Sequence, residues 1–393
     1  MRALLCPIGG RGFVYPMIGI GRTLAARGHQ VAFATAPGFA EAIAGAGFER
    51  LPRGETDGPS FQLTHWGHPL AVAIQVRHVQ DAIERFRPDV LLASTLALGP
   101  LIAGEITGLP VAVLGLAGYL WPVTVPGHAV RSGDPLARWR HGEMVEIYNS
   151  ASGLFGLRPR PRSLEASPLL GGLYLLQAVP GLEPLADHLP PRVRLVGSCV
   201  HEPDGPDPEL IEWLDAGGDG QPLLYVQHGS IFRSGDGFWP ALAAAARELG
   251  ARVAAATERH RNPPAPLMDR SSLVRGHIAQ AAVLEHADAL VCSGNTTAVL
   301  GALTHGLPAL LLPSGGEQPA LAARCLEAGA AVVAEPEAPA SRLRAALERV
   351  LEEASLRRAA RRLEADFAAY DGPGRVAAAL EELAGAAIVR GVA

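Results

Sequence analysis

A polar turn between two apolar runs is where this sequence offers the clearest chemistry. Ser293-Gly-Asn-Thr-Thr297 follows the run Ala289-Leu-Val-Cys292 and leads into Ala298-Val-Leu300. A strand ending at Cys292 and a helix opening at Thr296 would turn free N–H groups and the positive end of the helix dipole toward the turn. That arrangement suits an anion such as a diphosphate. The Ser and Thr hydroxyls there either cap the helix or bind phosphate oxygens. Two histidines, His65 and His68, stand in Thr64-His-Trp-Gly-His-Pro69. Either can serve as a base, and either can be an ordinary loop residue. No third ligand accompanies them, so a metal is not expected.

Other polar clusters point less clearly to a site. Asp215-Ala-Gly-Gly-Asp-Gly220 reads as a flexible connection before a strand. Arg158-Pro-Arg-Pro-Arg162 reads as a solvated loop without the aromatic interleaving of a nucleic-acid surface. Trp121, Trp139 and Tyr148 can line an apolar pocket or simply pack. All 34 cationic residues are arginine, which excludes a Schiff-base lysine and a P-loop lysine. Cys6, Cys199, Cys292 and Cys325 form no CxxC pair and read as buried thiols.

The elements that must position these residues alternate. Strands are expected at Ala3–Cys6, Gln30–Thr35, Asp89–Ala93 and Val111–Leu114, with helices at Pro16–Arg27, Val72–Arg87 and Leu98–Thr107. From Pro122 to Pro168 the pattern loosens, and strands resume at Tyr174–Val179 and Val193–Val196. His201-Glu-Pro-Asp-Gly-Pro-Asp-Pro208 carries too many breakers for either period. Alternation restarts with strands at Leu223–Val226, Arg252–Ala256, Ala289–Cys292, Ala309–Leu312 and Ala331–Ala334. The helices between and after them are expected at Phe238–Leu249, Thr296–His305, Glu317–Ala328 and Arg342–Glu353.

A chain of 393 residues, 48% hydrophobic and 19% charged, supplies two such α/β domains. We expect an N-terminal domain over 1–198, a linker over 199–221, a second domain over 222–370, and a final helix over 371–393 that crosses back to the first. Two open parallel sheets would face each other across a cleft. A net charge of −5 without a basic block argues against nucleic acid. With no signal peptide and no membrane-length apolar run, the sequence reads as cytoplasmic, without stable membrane insertion.

The stretch from Gly276 to Pro319 resembles the donor-binding signature of nucleotide-sugar-dependent glycosyltransferases of GT-B fold, family 1-like, especially the antibiotic-tailoring enzymes of actinobacteria. The resemblance implies that Ser293, Gly294, Asn295, Thr296 and Thr297 hold the diphosphate. It also implies that Glu317 and Gln318 bind hydroxyls of the donor sugar, and that His277 and Gln280 lie on the nucleoside side. Gln227-His-Gly-Ser-Ile-Phe232 resembles the family's first donor-domain loop, which would bring Gly229 and Ser230 near the phosphates. Ile8-Gly-Gly-Arg-Gly-Phe-Val-Tyr-Pro-Met17 resembles its opening glycine loop, with Gly9, Gly10 and Gly12.

The sequence departs from the family at the base. The family carries a His after the opening glycine and an Asp after the Pro-Asp strand; Phe13 and Ser94 stand in those places. A phenyl ring accepts no proton, and an unactivated hydroxyl is a poor base. Either His65 or His68 supplies the base, or the acceptor needs little help, or the protein binds without catalysing. The expected activity is inverting, metal-independent transfer of a sugar from a UDP- or dTDP-linked donor to a small natural-product-like acceptor, with no other cofactor. The rivals are a catalytically silent binding or auxiliary protein and a cell-wall lipid glycosyltransferase. A homodimer is left open.

Overall fold

The structure, a computed structural model, describes residues 1–123, 134–202, 205, 208–217, 220–227, 237–257, 267 and 271–391. The chain forms two compact units. Met1–Ala178, Leu185–Pro203 and Tyr370–Ala393 make the first, and Val179–Pro184 with Asp204–Ala369 make the second.

The first unit runs β1 (Arg2–Cys6), α1 (Arg11–Ala26), β2 (Gln30–Phe33), α2 (Ala40–Gly45), β3 (Glu49–Arg50), α3 (Pro69–Phe86), β4 (Val90–Ser94), α4 (Gly99–Thr107), β5 (Val111–Leu114), α5 (Asp134–Gly153), β6 (Leu173–Leu176) and β7 (Val193–Leu195). The strands form one seven-stranded sheet in the order β3-β2-β1-β4-β5-β6-β7, and every recorded pairing is parallel.

Both faces are covered, so successive residues of one strand enter different cores. Ala3, Leu5, Val90 and Leu92 pack with Val14, Met17 and Ile18 of α1. Leu4, Cys6, Leu91 and Ala93 pack with Val72, Val76 and Val79 of α3 and with Val145 and Tyr148 of α5.

The second unit runs α6 (Pro208–Asp215), β8 (Leu223–Gln227), α7 (Phe238–Glu248), β9 (Arg252–Ala256), β10 (Ser272–Arg275), α8 (Gln280–Leu284), β11 (Ala289–Cys292), α9 (Thr296–Leu303), β12 (Ala309–Leu311), α10 (Gln318–Glu327), β13 (Ala331–Val333), α11 (Ala340–Glu352) and α12 (Ala354–Ala368). Its sheet has six strands in the order β10-β9-β8-β11-β12-β13. The last helix, α13 (Gly372–Gly391), belongs to the first unit, where Val376, Ala377 and Leu380 bury against α1. Glu381 reaches Arg27 at 3.4 Å and His29 at 2.8 Å, and Arg194 grips Glu382 at 2.6 and 2.8 Å. These pairs are largely exposed and contribute little beside the apolar seam.

Each unit starts its sheet with the same device. Asp89 accepts the N–H of Arg2 at 2.7 Å, and Asp288 accepts that of Leu223 at 2.9 Å. In both cases an Asp just before the inner neighbouring strand secures the beginning of the unit's first strand.

The sequence reading does not include α2, β3, β10 or α8, and three further elements depart from it. α1 begins at Arg11, not at Pro16, which lies inside the helix. The amide that Pro16 lacks would have bonded to Gly12, where no Cβ crowds the ring, and Val14, Met17 and Ile18 already bury on one face. Gly12 and Phe13 therefore belong to the helix and not to the preceding loop. α5 fills much of the stretch that looked irregular. Its buried stripe is His141, Met144, Val145, Tyr148 and Ser152, and the two polar members hide the helical period. α6 forms inside the segment read as linker, around buried Leu210 and Leu214.

Candidate functional site

In the second sheet the chain leaves β8 toward β9 and leaves β11 toward β12, in opposite directions. The carboxyl ends of β8 and β11 are therefore a switch point, where open α/β sheets form a crevice. Gln227 ends β8 and Cys292 ends β11, in register as neighbours.

After Cys292 the backbone turns sharply. Gly294 has φ +89°, a conformation L side chains avoid, and its N–H donates to Cys292 Sγ at 3.2 Å. A Cβ on Gly294 would lie 3.3 Å from the Gln318 carbonyl oxygen, so the loop before α10 closes directly over the turn. Burial pushes the Cys292 thiol up to about 12, which keeps it neutral.

Asn295 has the extended backbone of an N-cap for α9, yet its side chain makes no capping hydrogen bond. Instead Asn295 Nδ2 donates to Gln227 Oε1 at 2.6 Å, across the switch point. Thr296 is buried in the first turn and Thr297 is half-buried.

Gln318 ties the neighbouring loop to this turn. Its Oε1 accepts the N–H groups of Ser314 and Gly315 at 2.9 and 3.3 Å, and its Nε2 donates to Ser293 Oγ at 3.1 Å. Both Gln318 and Ser293 are buried. Glu317 is half-buried at the N-cap of α10. That helix is held from below by Arg324, which donates to buried Glu183 at 3.2 Å on the short segment Val179–Pro184. Gln280 is buried too, and its Nε2 donates to the Thr297 carbonyl at 3.1 Å in the space left by Gly301. His277 is exposed beyond β10. Gly229 and Ser230 lie outside the described residues.

The structure thus gathers Ser293, Gly294, Asn295, Thr296 and Gln318 at one strand end, with Gln280 behind α9. Sequence reasoning had not singled out Gln227. The available signal was a polar residue closing the apolar run Leu223-Leu-Tyr-Val226.

The first unit has its own switch point, between β1 and β4. There Ser94, buried, accepts the N–H of Ile8 at 2.9 Å. Gly9 donates its N–H to Phe61 O at 2.7 Å and pairs with Gln62, which draws the loop of His65 against the opening glycines. A Cβ on Gly10 would meet Leu63 at 3.0 Å and Phe13 at 3.3 Å. His65 and His68 are exposed on this loop, His68 being the N-cap residue of α3. Since Gln62 Oε1 can only accept, His65 Nδ1 donates to it at 2.8 Å and Nε2 carries the lone pair of the neutral ring.

Trp121 is buried edge-on to His141, 5.2 Å between rings. Tyr148 is buried with its hydroxyl on Glu105 at 2.7 Å, whereas Trp139 is 60% exposed. Among the described residues no cluster of His, Cys, Asp and Glu could hold a metal, and no helix is long and apolar enough to cross a membrane.

Comparison with known proteins bears on the fold and the family. Residues 3–113 match the glycosyltransferase family 28 N-terminal domain, and residues 242–383 match the erythromycin biosynthesis protein CIII-like C-terminal domain. The chain is 28% identical to 4'-demethylrebeccamycin synthase of Lentzea aerocolonigenes over 409 residues, covering 94% of this chain and 96% of that protein. It is 26% identical to demethyllactenocin mycarosyltransferase of Streptomyces fradiae over 411 residues, covering 95% and 84%. The kitacinnamycin glycosyltransferase structure superposes with a TM-score of 0.77 at 21% identity, covering 97% of this chain and 98% of that one. A spinosyn rhamnosyltransferase complexed with thymidine diphosphate gives 0.69 at 21%, covering 97% and 100%.

Proposed function

We propose, from the premise that this chain is a glycosyltransferase of the GT-B fold, that it moves a sugar from a nucleoside diphosphate, of the dTDP or UDP kind, onto a small natural-product acceptor. One observation carries the donor half of the reading: the uncapped N-terminus of α9 at the β8–β11 switch point, walled by Ser293, Asn295 and the Gln318 loop. Backbone N–H groups and the helix dipole there stabilise a departing diphosphate without a metal. In-line displacement at the anomeric carbon would invert its configuration. Glu317, half-buried at the start of α10, is the group we assign to the sugar hydroxyls. The relatives and the solved structure of the kitacinnamycin enzyme act in natural-product pathways by their names, which supports the acceptor class.

Neither Phe13 nor Ser94 serves as base in this reading. The phenyl ring has no lone pair, and the Ser94 oxygen is occupied by the Ile8 amide. We assign the base to His65, whose hydrogen bond to Gln62 leaves Nε2 ready to accept a proton. His68 has no such orienting partner among the hydrogen bonds of the described residues.

The test is thermal stability with UDP, dTDP, GDP and their common sugars, in wild type and in Glu317→Ala. A ligand that binds only the folded protein raises the melting temperature by mass action. One nucleotide sugar should stabilise wild type beyond its bare nucleotide, and Glu317→Ala should remove that extra. No shift with any of them near millimolar concentration would refute the donor assignment.

A further inference from the structure

Asn295 has the residue type and backbone of a helix N-cap, yet its side chain makes no capping bond to α9, and its Nδ2 donates to Gln227 Oε1. The other end of that amide, Oδ1, is buried without a hydrogen-bond partner among the described residues. A buried acceptor left unmet is costly, and native proteins rarely keep one without a use.

A terminal amide has nearly the same shape after a half-turn, which exchanges its oxygen and nitrogen. If Asn295 and Gln227 turn together, Gln227 Nε2 donates to Asn295 Oδ1 and their mutual bond survives. Asn295 Nδ2 then occupies the buried position beside the first turn of α9. The pair therefore has two hydrogen-bonded states, one leaving an acceptor unmet and the other a donor. A nucleoside diphosphate at neutral pH offers phosphate oxygens, which only accept. It can satisfy the second state and not the first.

We propose that Gln227 and Asn295 form a two-state amide switch that reverses when the diphosphate binds. Gln227 is the positioning residue: it holds the Asn295 amide by its nitrogen in the empty site and, once both have turned, steers that NH2 onto the phosphates in the filled one. The inference rests on the donor-site reading of the second unit and adds the pair's reversal to it.

The experiment is calorimetric titration of the full chain with thymidine and uridine diphosphates and with the matching nucleosides. Gln227→Glu can only accept, so it pins Asn295 in the present orientation. Gln227→Met keeps the length of the side chain and removes the steering without adding charge. The diphosphate Kd should rise about ten- to hundredfold in the first and about three- to tenfold in the second, with nucleoside binding unchanged. The side-chain NH2 resonances of both residues, assigned by substitution, should shift with the diphosphate and stay put with the nucleoside.

Diphosphate binding as tight as wild type in either variant overturns the switch while leaving the donor site standing. The same holds for amide signals that do not respond to the diphosphate. A wild type that binds neither diphosphate overturns both.

Discussion

Replacing Gln318 by Met separates two roles that the sequence alone does not tell apart. The family resemblance gives this residue to the donor sugar, whereas the structure engages its amide within the protein. Oε1 holds Ser314 and Gly315, and Nε2 holds Ser293 Oγ. Met matches its length and removes all three bonds. At about 0.5–1.5 kcal/mol net for each, the loss is about 2–4 kcal/mol, concentrated in the loop between β12 and α10. Amide hydrogen exchange reads it locally. The Ser314 and Gly315 N–H groups should each exchange about thirty- to nine-hundredfold faster if opening of the loop limits exchange. Gln318→Glu keeps a side-chain acceptor and should preserve that protection. Because Ser293 loosens with the loop, Gln318→Met should weaken bare nucleotide and nucleotide sugar alike. Unchanged exchange at both amides, with only the sugar's extra affinity lost, would refute the structural role and return Gln318 to the sugar.

Two further outcomes concern the first unit. Ser94→Ala strips the Ile8 N–H of its acceptor in a buried position, and urea unfolding should record about 1–3 kcal/mol of lost stability. Burial lowers the pKa of His141 to about 4, while the unfolded chain titrates near its ordinary value of about 6.5, so the unfolded state takes up the proton first. The stabilising contribution is thus fully present above about pH 6.5 and is lost as pH falls toward 4, up to about 3 kcal/mol. His141→Gln should flatten that part of the stability curve, and an identical acid slope in the two proteins would count against the burial argument.

Most strands were legible as short apolar runs, whereas β3 (Glu49–Arg50) and β10 (Ser272–Arg275), neither of them buried, were not expected. Val90-Leu-Leu-Ala-Ser94 sends alternate residues into two cores, and no polar residue interrupts it before its end. The start of α1 was obscured by Pro16, read as a first-turn residue although the helix had begun at Arg11. α5 was obscured by His141 and Ser152, polar residues on its buried face. They bury together with their surroundings, and His141 does so by bonding Ser167 at 2.8 Å. In the second unit the turn at Ser293 and the pair Glu317-Gln318 stood out by residue type. Their connection did not, because it depends on two distant loops closing over one strand end.

The comparison of the two switch points explains why strand order matters more to the site than local pattern. Both sheets place an inner pair of parallel strands at the reversal, and both bridge it with a polar side chain: Ser94 to Ile8 in the first, Asn295 to Gln227 in the second. A hydroxyl that accepts a backbone amide closes its gap with a bond fixed by the main chain. An amide joined to another amide does not, since either end can make the bond and one end is always left over. In the second unit the leftover atom is Asn295 Oδ1, buried beside an uncapped helix. Neither Gln227 nor Asn295 announces this in sequence, because each acquires its partner only when β8 and β11 become neighbours. The same two residues on non-adjacent strands would be unremarkable polar ends. Brought into register, they make a hydrogen-bonded pair that leaves one buried amide oxygen without a partner among the described residues.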